Sequence, residues 1–103
     1  MSIEKQYDKN KLSLKIIFKG DFNYLSFSDF REAYSSDDAK SAENIIIDFK
    51  ETNKIDSSAL GMLLQMQEHL GKNDREIQII NCNEKIKKIL EITHFKTKFN
   101  IQE

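Results

Sequence analysis

The chain has 103 residues, 16 of them basic and 17 acidic, which leaves room for one compact domain with a formal net charge of −1. Nothing in this balance suggests a nucleic-acid binder, which would usually show a basic excess clustered on one face. The only cysteine, Cys82, excludes an intrachain disulfide and any multi-cysteine metal site. The longest apolar runs, such as Ile45-Ile46-Ile47, are far too short to cross a bilayer, and no apolar signal-peptide core follows Met1. The expectation is a soluble cytoplasmic protein of one domain over residues 1–103, with no membrane partner.

In chain order, residues 3–8 read as a weak edge strand. Leu12-Ser13-Leu14-Lys15-Ile16 alternates apolar and polar, and Ile17-Phe18 carry it to Gly20, which marks a half-buried strand ending in a turn. A first helix is expected from Ser26 or Ser28, with Phe27, Phe30 and Tyr34 on its inner face. The polar stretch Ser35 to Ser41 reads as a loop or a frayed helix end. Asn44 to Phe49, with three consecutive isoleucines, is expected to be a central strand.

The second helix follows Asp56. Ala59, Met62, Leu63, Met66 and Leu70 recur with helical spacing, and Leu60 and Leu64 widen the stripe. Gly71 is placed to end this helix. Leu63, at the centre of the stripe, is expected in the core, whereas Met62, near the first turn, is expected to reach a partner surface. Ile77 to Ile80 is a further strand. A third helix spans about Asn83 to Thr93, with Ile86, Ile89 and Leu90 inward and Lys85, Lys87 and Lys88 towards water. Phe99-Asn100-Ile101 is a short last strand. Strands alternating with helices imply an α/β layer structure with a mostly parallel sheet.

The segment with most chemical content is Ile55-Asp56-Ser57-Ser58-Ala59-Leu60-Gly61-Met62-Leu63-Leu64. It follows a central strand and opens the most amphipathic helix. Asp56 or Ser57 is a suitable N-cap, since a side-chain oxygen there accepts from the free amides of the first turn. Capping alone accounts for these polar residues as well as a functional role does. Elsewhere, His69 and His94 have no companion ligands in the pattern of a metal site, and Cys82 fits a small buried apolar residue. No Gly-x-Ser-x-Gly elbow or Walker A loop occurs.

Asp56-Ser57-Ser58-Ala59-Leu60-Gly61, after a hydrophobic strand and before Met62-Leu63-Leu64, resembles the signature of STAS domains. More narrowly it resembles the small anti-sigma factor antagonists of bacterial partner-switching systems. Lys19-Gly20-Asp21-Phe22, Ile45-Ile46-Ile47-Asp48-Phe49 and the final strand-helix-strand unit extend the resemblance over nearly the whole chain. Ala59 stands where many members carry glycine.

The resemblance implies a small mixed sheet of about five strands with three to four helices packed mainly on one face. It makes Ser57 the phosphate acceptor and gives Asp56, Ser58, Ala59 and Met62 parts in shaping the site or the partner contact. It implies a non-enzymatic switch without cofactor or metal. The unphosphorylated form would bind an anti-sigma factor or serine kinase of the histidine-kinase ATPase type, and a PP2C-type phosphatase would reset it. The alternative is a small nucleotide-binding or structural STAS subunit of a larger signalling or transport complex.

Overall fold

Alternating apolar residues in the strands and one apolar stripe on each longer helix call for a sheet covered by helices. The computed structural model, which describes residues 2–70 and 75–102, has that form. Its strands are β1 (Ser2–Asp8), β2 (Ser13–Lys19), β3 (Asn44–Glu51), β4 (Glu76–Ile80) and β5 (Asn100–Ile101). Its helices are α1 (Phe27–Tyr34), α2 (Asp37–Ser41), α3 (Ser57–Leu70) and α4 (Glu84–Ile92), with short 3-10 turns at Tyr24–Ser26 and Phe95–Thr97.

The strands lie in the order β1-β2-β3-β4-β5. β1 pairs antiparallel with β2, and the three remaining pairs are parallel. Successive right-handed crossovers that advance in one direction place their helices on the same face. Burial follows: Leu14, Ile16, Phe18, Ile45, Ile47 and Ile79 are wholly buried on the helix side. Their neighbours Ser13, Lys15, Asn44, Ile46 and Gln78, on the other face, are only half-buried.

Three local readings differ from the sequence expectation. Leu12 is not in the strand: it sits in a turn with φ 49° and is 36% exposed. The polar stretch 35–41 holds a helical turn, because the Ser36 hydroxyl accepts from the Ala39 amide and Ala39 and Ala42 are buried. Arg75 closes the far end of that turn, its guanidinium donating to the carbonyls of Ala39 and Lys40, both at 2.6 Å. Phe27, expected inward, is 43% exposed with the Arg31 guanidinium 5.9 Å from its ring centre, while Phe30 and Tyr34 are buried. Gly71 lies outside the described residues.

Candidate functional site

The turn from β3 into α3 rests on an aromatic floor. Phe18, Phe22, Phe30 and Phe49 are buried, with ring centres 4.4 Å apart for Phe18–Phe22 and 6.2 Å for Phe22–Phe49. Interlocked rings of this kind combine large buried area with specific edge and tilted contacts. From that floor Phe22 forms a parallel bridge with Ile55: its amide donates to the Lys54 carbonyl (3.0 Å) and its carbonyl accepts from the Asp56 amide (3.3 Å). Gly20 donates to the Glu51 carbonyl (2.9 Å), and the buried Thr52 hydroxyl donates to the Phe18 carbonyl (2.9 Å). The exit of β2 thus holds one side of the turn.

The β4–α4 connection holds the other side. Asp48 is only 6% exposed although it lies on the open face of the sheet, in register with Ile17 and Ile80. Its carboxylate accepts from the Lys50 amide (2.9 Å) and from Asn81 Nδ2 (3.0 Å). Asn83 Nδ2 donates to the carbonyls of Asn53 (2.8 Å) and Thr52 (3.3 Å), while its Oδ1 accepts from the Ile86 amide (2.9 Å) as the N-cap of α4. The sequence marks Asn83 as a helix start, but its hold on residues thirty positions earlier has no local signature. The same is true of Thr52, Asn81 and Phe22.

At the end of the turn, Asp56 is the N-cap of α3. Its carboxylate accepts from the Ser58 hydroxyl (2.6 Å) and the Ala59 amide (2.9 Å). The Ser58 hydroxyl first, and the Ala59 amide after it, hold the Asp56 carboxyl below its ordinary value, since both donors favour the charged form. The two serines are therefore unlike. Ser57 is exposed at the first residue of α3, and no described residue hydrogen-bonds its hydroxyl. Ser58 is half-buried and engaged with Asp56.

Ala59 is wholly buried beneath the turn. Met62 is 6% exposed and belongs to the core with Leu63, contrary to the expectation that it reaches the surface. Both positions lie within the broad apolar stripe of α3, whose buried residues are Ala59, Met62, Leu63, Met66 and Leu70. The outward positions of the first turns are Ser57 and Gly61, flanked by half-buried Leu60 and Leu64. Beyond its chain neighbours and the backbone of its own helix, a Cβ at Gly61 would meet nothing within 4 Å.

The remaining candidates lie elsewhere. The His69 ring packs 5.5 Å from the Tyr34 ring centre, and His94 occupies a left-handed conformation (φ 59°) after α4. Burial pushes the Cys82 thiol up to about 11, with the Lys87 charge opposing. Lys85 and Lys88 are exposed and Lys87 is half-buried. Among the described residues, no three His, Cys, Asp or Glu side chains assemble as metal ligands. Among the same residues, no helix is long and apolar enough to cross a membrane.

The protein is a mixed five-stranded sheet covered on one face by four helices, with a capped serine turn after β3. The chain belongs to the STAS domain family, whose model matches residues 4–103. A STAS-domain containing protein of Pseudomonas aeruginosa (strain UCBPP-PA14) is 35% identical over 94 residues, which are 91% of this chain and 90% of that protein. Among solved structures, a putative anti-sigma factor antagonist from Thermotoga maritima superposes with a TM-score of 0.84 at 15% identity, covering 98% of this chain and 86% of that one. The Bacillus cell fate determinant SpoIIAA in its phosphorylated form gives 0.74 at 14% identity, covering 99% and 92%. At such identities the two structures speak for the fold.

Proposed function

We propose that this chain is a phosphorylation-controlled binding switch, an anti-sigma factor antagonist of a partner-switching pathway, with Ser57 as the phosphate acceptor. The observation that carries the reading is the contrast between the serines. Ser57 offers an exposed hydroxyl that no described residue engages, whereas the Ser58 hydroxyl is spent on the Asp56 carboxylate. A kinase needs the first kind of group. A further support is that SpoIIAA, whose fold this chain shares, is known in a phosphorylated form.

A phosphoserine brings about −1.5 to −2 charges and three acceptor oxygens. At the start of α3 the first-turn amides and the helix dipole accommodate that anion, so the fold persists. The Asp56 carboxylate already stands beside it. A partner surface that packs against the neutral hydroxyl would then have to desolvate two adjacent anions, which is costly. Binding and release need no refolding of the domain.

In this reading the unmodified chain captures an anti-sigma factor or serine kinase of the histidine-kinase ATPase type in the cytoplasm. A PP2C-type phosphatase restores the free hydroxyl. The domain itself performs no chemistry. Asp56 and Ser58 set the local geometry and charge, and Ala59 and Met62 support the turn from beneath.

The test is to incubate wild type, Ser57→Ala and Ser58→Ala with the cognate kinase and ATP, and to locate the phosphate by mass spectrometry. Ser58→Ala should be modified at Ser57, and Ser57→Ala should not be modified. Ser57→Asp should bind the partner about tenfold more weakly or worse, with far-UV circular dichroism unchanged. The reading fails if phosphate appears only on Ser58, or if modified and unmodified chains bind equally.

A further inference from the structure

The two sides of the β3–α3 turn are held by different chemistry. Towards β2 the partners are backbone groups and the Thr52 hydroxyl. Towards β4 the hold on the turn comes from the side-chain amide of Asn83, while that of Asn81 reaches Asp48 within β3. Asn83 faces two ways. Its Nδ2 reaches the carbonyls of Thr52 and Asn53, and its Oδ1 caps the first turn of α4 through the Ile86 amide. One planar amide therefore ties the loop that presents Ser57 to the start of a helix thirty residues further along the chain.

We propose that Asn83 is the positioning residue for the acceptor loop: through its side-chain amide it fixes residues 52–56 in the single conformation that presents Ser57. The proposal rests on the reading of Ser57 as acceptor. The fixing side chain is exposed, so its hydrogen bonds compete with water and the loop is held without being locked. A loop that leaves this conformation for part of the time presents a smaller competent fraction to a kinase. The apparent affinity then falls by that fraction, while turnover of the bound chain does not change.

The structure also supplies the means of separating the two roles. Asn83→Asp keeps an oxygen for the Ile86 amide, and aspartate is as good an N-cap as asparagine. It removes the Nδ2 donor, however, and turns a carboxylate towards two carbonyl oxygens. Lys88→Gly is the converse control. It weakens α4 at an exposed interior position and leaves the loop contacts intact.

Hydrogen exchange should be followed at the Thr52 and Asp56 amides, which bond to the Phe49 and Phe22 carbonyls, and at the amides of residues 88–92. In Asn83→Asp the two loop amides should exchange at least tenfold faster, with α4 unchanged. KM for phosphorylation of Ser57 should rise severalfold with kcat preserved. In Lys88→Gly, α4 should exchange faster and the loop should not. Unchanged loop exchange in Asn83→Asp, unchanged KM, or equal loop opening in Lys88→Gly would each overturn the proposal. Phosphate found away from Ser57 in the wild-type chain would instead overturn the acceptor reading, and the exchange measurements would still decide whether Asn83 holds the loop.

Discussion

At the scale of single residues, Asp56 shapes the start of α3. Its carboxylate binds the Ser58 hydroxyl and the Ala59 amide, and these donors depress its pKa. A carboxylate with a folded-state pKa below its unfolded value adds stability above the unfolded value. That contribution is lost as pH falls through the folded value. Asp56→Asn keeps a capping oxygen but removes the charge. In urea unfolding the wild type should therefore exceed Asp56→Asn in stability at pH 7, and the gap should close as pH is lowered below the ordinary carboxylate range. A gap that widens on acidification would refute the assignment. The sequence shows Asp56 as a cap candidate, but the choice between Asp56 and Ser57 follows from which oxygen faces the Ala59 amide, a matter of backbone direction at the end of the loop.

At the scale of elements, α3 is the part read most directly from sequence, because its burial repeats with the helical period. What periodicity leaves open is how wide a stripe the sheet covers. Met62 and Leu63 are adjacent, and both are buried, at 6% and 0% exposure. Leu63→Ala and Met62→Ala should each cost about 2–5 kcal/mol in thermal or urea unfolding. A Met62→Ala variant with wild-type stability would show that its side chain can leave the core. The helix α2 is legible only as a loop or frayed helix end, since four of its five residues are polar and carry no period. It forms because Ser36 caps it, Ala39 and Ala42 anchor it, and Arg75 closes its end from 35 residues away. Phe27 misleads for the opposite reason. Its spacing suits the core face of α1, but as the first residue of the helix it stays 43% exposed, with the Arg31 guanidinium 5.9 Å from its ring centre.

At the scale of the whole molecule, the sheet order, the single helical layer and the aromatic floor form one construction. Phe22 belongs to all three: it is wholly buried, it packs on Phe18, Phe30 and Phe49, and its backbone pairs with Ile55. Phe22→Ala should cost about 3–5 kcal/mol, a large share of the about 5–15 kcal/mol expected for a whole domain. Its urea midpoint should fall accordingly, and a midpoint within error of wild type would contradict the packing described.

The bridge between Phe22 and Ile55 has a temporal consequence. It joins segments 33 positions apart and lies between β2 and the end of the loop after β3. Loop-closure entropy opposes such a long-range pairing until neighbouring strands have docked. A nascent or partly unfolded chain therefore lacks the platform on which Ser57 is displayed. Only a chain that has finished assembling its sheet can offer this serine in the geometry described, so phosphorylation of Ser57, as proposed above, would report completed folding along with the state of the signal.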